Sequence, residues 1–288
     1  MSELTPDQKA ELVSDWARFR ATFSEDAPPK DTARSWGFEF ETPSADELHE
    51  AMSREDRAIL NFTQDSSIEG AGSDECECDC RYCYYHECDC DSCEVEGSAD
   101  PEHGCGSSAC YEEGTEYQEI TTLDGGVNTT HPQELAVLVA AGMEDSRITE
   151  QCGLHLNIGS ADLNPAQVAR VISAYRMAYD LLTVIAGRES ERYAPKPPPE
   201  YEGMAHRGEP TGKFTAVNTQ HHFHNLSQYG DRRKARLEFR QHEGSNNPAE
   251  FRAWAWLLIE LVEFAKTTRP LYWIAQATTL AEFRKALR

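Results

Sequence analysis

The sequence predicts an α+β fold, an antiparallel or mixed sheet with helices packed on one face and a polar, ligand-bearing cleft on the other. Three stretches carry this expectation. In Arg236-Leu237-Glu238-Phe239-Arg240-Gln241-His242-Glu243-Gly244-Ser245, Leu237, Phe239 and Gln241 share one parity, while Glu238, Arg240 and His242 share the other. Trp36-Gly37-Phe38-Glu39-Phe40-Glu41-Thr42 sets Phe38 and Phe40 against Glu39 and Glu41. Cys152-Gly153-Leu154-His155-Leu156-Asn157-Ile158 sets its leucines against His155 and Asn157. Successive side chains of a strand point to opposite faces, so each stretch has an apolar floor and a face of carboxylate, imidazole, amide or guanidinium groups. Carboxylates at i and i+2 stand about 6.8 Å apart along a strand, near enough to serve adjacent cations. Half-polar strands also argue against an all-parallel sheet, whose strands read as continuous apolar runs.

The other elements follow in chain order. Thr5-Pro6-Asp7-Gln8 is a capping box with proline at the first helical position, opening a helix that runs to about Phe23. Ala27-Pro28-Pro29-Lys30 interrupts it, and the Glu39/Glu41 strand comes next. Ser44 to about Arg57 has helical spacing with Leu48 and Met52 inward, and Ile59 to Phe62 forms a short strand. Tyr117 to Leu123 reads as a strand with Tyr117, Glu119 and Thr121 on one face. His131 to Gly142 is helical through Leu135, Leu138 and Val139. Asn164-Pro165 starts a long helix whose Val168, Val171, Ile172, Tyr175, Tyr179, Leu182 and Ile185 make a buried stripe. Pro195 to Pro199 is a loop, and Lys213 to His224 reads as extended. Asn247-Pro248-Ala249-Glu250 caps a helix with Phe251, Trp254, Leu258, Leu261 and Val262 on one side, and a last short helix begins near Leu280.

With 288 residues and 39% hydrophobic content, the chain can bury a full core in one large domain. The hydrophobic pattern occupies 1–69 and 115–288; between them, 70–114 is rich in Cys, Asp, Glu, Gly and Ser and cannot build a core of its own. The 27 basic and 50 acidic residues give a formal charge of −23, which disfavours nucleic acid and anionic membranes as partners. No leader-like apolar segment and no membrane-length apolar run occurs, so a soluble cytoplasmic protein is expected. In a reducing compartment, ten cysteines point to zinc rather than to disulfides.

Within the insert, Glu77-Cys78-Asp79-Cys80-Arg81-Tyr82-Cys83 is echoed by Glu87-Cys88-Asp89-Cys90-Asp91-Ser92-Cys93. The two Cys-x-x-Cys knuckles, Cys80/Cys83 and Cys90/Cys93, have the spacing of a tetrahedral structural zinc site. Cys76, Cys78 and Cys88, with Cys105, Cys110, His86 and His103 nearby, could fill a second site, so about one to two zinc ions are expected. The rival reading is a disordered, acidic, redox-sensitive loop. A zinc knuckle beside the site strands is placed to cap substrate or to dock a protein partner. His221, His222 and His224 read as a polar cleft wall or a solvent-facing set rather than as a metal site.

Taken in order, the site stretches resemble the amidoligase family of glutamine-synthetase-like carboxylate–amine ligases. Gly37-Phe38-Glu39-Phe40-Glu41 resembles the family's Gly-x-Glu-x-Glu strand, and Asp65-Ser66-Ser67-Ile68 its Asp-Gly-Ser turn with Ser66 in place of glycine. Glu119 and its neighbours resemble a third glutamate-bearing strand. Cys152 to Asn157 resembles a Cys-Gly-Leu-His strand, with Asn157 where a second histidine is common. Arg192-Tyr193 resembles an arginine-bearing helix end, Val217-Asn218 a Val-Asn strand, and Leu237-Glu238-Phe239-Arg240 with Gly244 the Glu-Phe-Arg strand. The resemblance covers about residues 35 to 265 without the insert.

It implies a glutamine-synthetase-like catalytic fold that forms an amide or peptide bond through an acyl phosphate, using ATP and two or three magnesium ions. Glu41 and Glu119 would hold the cation near the substrate carboxylate, and Glu39, His155 and Glu238 the cation on the nucleotide phosphates. Arg240 would neutralise the transferring phosphoryl group, Arg192 and Asn218 would contact the nucleotide, and Asp65 would orient or deprotonate the amine. Oxygen-rich ligands suit magnesium, and a planar guanidinium suits phosphate. The substrates would be small molecules or peptides, one supplying a carboxylate and one an amine. Two rival readings stand beside this one. The first is a non-catalytic, zinc-stabilised interaction protein on a ligase-like fold; the second is a phosphotransferase on the same sheet. Taken singly, Glu39 with Glu41 reads as a wet strand face and Glu238 with Arg240 as a cross-strand pair.

Protein purified under reducing conditions is expected to carry about one to two zinc equivalents by elemental analysis. Cys80→Ser/Cys83→Ser should remove about one of them. Zinc-free wild-type protein would overturn the knuckle assignment.

Overall fold

Alternation in the site strands becomes a two-faced sheet in the computed structural model, which describes residues 4–23, 34–58, 60–63, 119–122, 138, 140–143, 147–149, 152–187, 194–226 and 234–288. The strands are β1 (Trp36–Glu41), β2 (Leu60–Thr63), β3 (Glu119–Thr122), β4 (Gly153–Gly159), β5 (Val217–Asn218) and β6 (Arg236–Glu243). They form one open six-stranded sheet in the order β2-β3-β1-β4-β6-β5, and every neighbouring pair is antiparallel. Register sets the polar face: Glu39 lies opposite His155 and Thr121, Glu41 opposite Glu119, and Glu238 opposite Asn157 and Asn218. Directly opposed residues share a face. The other face buries Phe38, Phe40, Ile120, Leu154, Leu156, Ile158, Leu237 and Phe239.

The helices are α1 (Pro6–Ala21), α2 (Ala45–Ala51), α3 (Arg54–Arg57), α4 (Pro165–Ala186), α5 (Glu200–His206), α6 (Gln220–His224), α7 (Pro248–Phe264), α8 (Tyr272–Gln276) and α9 (Leu280–Leu287). Local chemistry starts the long ones. Thr5 and Asn164 form capping boxes with Gln8 and Gln167, Asn247 accepts from the Ala249 N–H, and a proline begins each helix. Gly187 ends α4 at φ 73°, in the left-handed region where a side chain is disfavoured.

Helices α4 and α7 cover the apolar face. The Phe251 ring sits 4.9 Å from that of Phe38 and 5.6 Å from that of Phe40, and Tyr175 lies 5.5 Å from Phe239. Helix α1 packs behind them, with Trp16 edge-on to Trp254 at 6.3 Å. One contiguous apolar cluster runs from Leu12 to Leu287, joining segments on both sides of the insert in sequence. Among the described residues, no helix is long and apolar enough to cross a membrane.

Several expectations are corrected. Between Leu154 and Leu156 the register shifts, so Arg240 and Gln241 together oppose His155 in a β-bulge. Beyond it the parity of β6 flips, and His242 turns to the helices instead of the polar face, its ring 5.1 Å from Trp254. Ser44 to Arg57 divides into α2 and α3 because Met52 is extended, at ψ 153°. Lys213 to His224 is extended only at Val217–Asn218, then turns into α6. Helices α5 and α8 had no counterpart in the sequence reading. The insert, with Cys76, Cys78, Cys80, Cys83, Cys88, Cys90 and Cys93, lies outside the described residues, as do Asp65 and Arg192.

Inside the helix layer, the Glu250 carboxylate accepts hydrogen bonds from the Trp16 indole and the Arg20 guanidinium, and faces His242 Nε2 at 3.4 Å. Burial pushes its pKa up, but the His242, Arg20 and Trp16 contacts outweigh burial and hold it at about 2. A carboxylate depressed in the folded state stabilises fully above its unfolded pKa, near 4.5, and progressively less as pH falls toward 2. Urea midpoints measured across pH 5 to 2 should therefore fall more steeply for wild type than for Glu250→Gln, and parallel curves would contradict the network.

Candidate functional site

The polar face gathers its groups around one imidazole. His155, on β4, places Nδ1 3.1 Å from Glu39 Oε2 and 3.8 Å from Glu238 Oε1, and Nε2 3.3 Å from Glu41 Oε1. Antiparallel pairing of β1 and β6 on either side of β4 makes this possible: Glu39 lies directly opposite His155, and Glu238 lies opposite Asn157, the next residue of β4 on the same face. Glu41 accepts from the Gly153 N–H. Glu39 accepts from Asn157 Nδ2 at 2.8 Å. Glu238 accepts from Arg240 through one oxygen and from Asn218 Nδ2, at 2.6 Å, through the other. Behind this layer, Asn218 Oδ1 accepts from the Gln220 N–H at 2.9 Å, and Asn157 Oδ1 from Arg236 Nε at 2.9 Å.

Among the described residues, acids outnumber bases in this space. Glu41, His155 and Glu238 are all nearly sealed from solvent, at 6, 6 and 3% side-chain exposure, and Arg240 is only 11% exposed. Among the described residues, three carboxylates, Glu39, Glu41 and Glu238, thus gather at one guanidinium and one imidazole. Burial pushes Glu39 up, but its hydrogen bond and charge interaction with His155, the Asn157 amide and Arg240 together hold it at about 2. Glu238 moves the other way, raised by burial and by the charge of Glu39, with Arg240 and His155 compensating only in part. For His155, burial disfavours the charged ring, yet the Glu41 charge and the Glu39 hydrogen bond raise its pKa. A neutral imidazole has one N–H, so only the protonated ring can donate to both Glu39 and Glu41.

Glu39, His155 and Glu238 each offer a donor atom, and the three atoms lie within 4.8 Å of one another. Ligands about 2.1 Å from a magnesium ion stand roughly 3–4 Å apart, so a modest side-chain rotation would close this set around a cation. Carboxylate oxygens with one imidazole nitrogen suit magnesium, manganese or zinc. The donor chemistry and the local excess of negative charge therefore fit a divalent cation, with His155 yielding a proton to bind it.

Of the residues singled out in the sequence, Glu39, Glu41, His155, Glu238 and Arg240 meet at this one place. Glu119 stands on β3 as the register partner of Glu41. Asn218 lies behind Glu238, with both ends of its amide engaged. The histidines of α6 separate: His222 is buried with Nδ1 2.8 Å from Ser160 Oγ, His221 is half-buried, and His224 is exposed. His221 is lowered to about 4 by burial and then by the charge of Arg236. Sequence reasoning placed Asn157 on the ligand-bearing face and gave Arg236 no role; together they extend the hydrogen-bond chain beyond Glu39. The available signal was parity, since Arg236 shares its face with Glu238 and Arg240.

Compared with protein-family models, with curated proteins and with solved structures, the chain matches none.

Titration calorimetry with Mn2+ is expected to show saturable binding that Glu238→Gln and His155→Ala abolish. Asn218→Ala, which removes only a support, should weaken it by about 10- to 100-fold. Equal Mn2+ affinity in all four proteins would show that the cluster holds no cation.

Proposed function

We propose that the protein is an ATP- and magnesium-dependent carboxylate–amine ligase that forms an amide or peptide bond through an acyl phosphate. The observation that carries this reading is the meeting of Glu39, His155 and Glu238 donors within 4.8 Å, with Arg240 bonded to the same Glu238. Such a constellation pairs a cation site with a guanidinium, the two elements that phosphoryl transfer needs. The ordered strand motifs that resemble the amidoligase family give the reading its reaction type.

Bound magnesium would neutralise phosphate charge and align the oxygens of the nucleotide. Glu39, His155 and Glu238 would hold that cation, and Glu41 with Glu119 would hold a second one toward the substrate carboxylate. Arg240 sits over the phosphoryl group in transfer and stabilises its charge. A substrate carboxylate oxygen attacks the γ-phosphorus and the bond to ADP breaks. The amine nitrogen then attacks the acyl carbon, phosphate leaves, and the amine gives up a proton, for which Asp65 is the acceptor suggested by sequence. Arg192 remains a nucleotide contact on the strength of its motif, whereas Asn218 acts through Glu238. The cysteine-rich insert is a structural zinc module in this scheme.

The test supplies the protein with ATP, magnesium and a panel of amino acids and short peptides, and follows ADP. Release that depends on both a carboxylate and magnesium is expected. Arg240→Ala should lower it by roughly a hundredfold or more. Hydroxylamine should divert the reaction to a hydroxamate, and omitting it should give an amide detectable by mass. A phosphorylated guanidino product without hydroxamate would favour the phosphotransferase, and no turnover with any pair would favour the non-catalytic scaffold.

A further inference from the structure

A groove of quite different chemistry opens where α1 meets α8 and α9, with a volume of about 810 Å³. Its walls are partly apolar, with Phe19, Trp273 and Leu280 among the lining residues. Its charged lining is Arg269, Arg284, Lys285 and Arg288 against a single acid, Asp15. The chain as a whole holds 27 basic and 50 acidic residues, so this lining reverses the molecule's balance.

Part of that charge is already compensated. Arg284 makes two 2.9 Å hydrogen bonds to Glu260 while its guanidinium stacks 4.1 Å over the Phe19 ring, and Arg288 joins the same Glu260. Asp15 is paired with Arg18. Among the described residues, no ion pair engages Arg269 or Lys285, and both side chains are exposed. Between them, Trp273 is 48% exposed, a large apolar surface left open beside two available cations. Lys285 on α9 and Arg288, the residue that caps its end, follow Ala281 at spacings of four and three, a stripe about 10 Å long.

We propose that this groove docks an acidic peptide segment of a protein partner. Carboxylates of the segment meet Arg269 and Lys285, and one of its apolar side chains packs on Trp273 and Phe19. Aromatic anchors beside arginine are the groups that concentrate binding energy at interfaces. A long polyanion such as nucleic acid would be repelled by the chain's −23 charge, whereas a short segment feels mainly the groove within about 8–10 Å. The proposal does not depend on the ligase reading, since no residue of the groove belongs to the polar face of the sheet.

The test uses the full chain and a fluorescein-labelled octapeptide, Glu-Glu-Phe-Glu-Glu-Leu-Glu-Glu, followed by anisotropy. Saturable binding that weakens with added salt is expected. Arg269→Glu/Lys285→Glu and Trp273→Ala should each weaken it about tenfold or more. Lys9→Glu, an exposed site elsewhere on α1, should leave it unchanged, and circular dichroism melts confirm that the variants fold. Absence of binding overturns the proposal. So does equal weakening by Lys9→Glu, which would indicate bulk charge alone. Equal affinity for the peptide with lysine in place of glutamate would overturn it as well.

Discussion

The structure depends on one electrostatic constraint: three carboxylates, the buried Glu41 and Glu238 and the partly buried Glu39, crowd around the ring of His155. At about 4 Å and an effective dielectric near 20, two like charges repel by roughly 4 kcal/mol, and burial adds a desolvation penalty. A fold keeps such a group only if each acid has compensating partners. Here every one does: Gly153 for Glu41, Asn157 for Glu39, and Arg240 with Asn218 for Glu238. The opposite shifts of Glu39 and Glu238 show where compensation is ample and where it falls short.

The apolar side of the sheet makes this arrangement hold still. Side chains within a strand alternate, so the groups that face the cation site are positioned by the packing of their neighbours on the reverse. Phe38 and Phe40 bracket Glu39 and both rest on Phe251, while Leu154 and Leu156 bracket His155 and are buried against the same layer. Tyr175 closes on Phe239 between Glu238 and Arg240. A site built on strands with a rigid floor keeps its geometry better than one built on loops.

How much of this was legible in the sequence depends on how local the signal is. Period-two alternation located β1, β4 and β6 and the faces of Glu39, Glu41, His155 and Glu238, and cap residues located the starts of α1, α4 and α7. His242 was misplaced because the bulge is a property of pairing: one strand alone does not show that Arg240 and Gln241 face a single residue across the sheet. The turn from β5 into α6 was hidden because Gln220 to His224 has no apolar period to mark a helix; only Phe223 is a buried hydrocarbon there. Asn157 and Arg236 were unreadable as a pair because their contact spans two strands.

That bulge ties the two sides of β6 together. Arg240 reaches toward Glu238, while the next residue, Gln241, is clasped from behind by the Tyr175 hydroxyl at 2.7 Å and the Thr183 hydroxyl at 2.6 Å. Loss of a single codon at this point would erase the extra residue and leave His242 opposite Leu154, so the remainder of the strand would keep its facing. What the missing residue would cost is one of two grips, the guanidinium on Glu238 or the amide held by Tyr175 and Thr183, so a descendant gene that keeps both should keep the spacing between Glu238 and Gly244 as well.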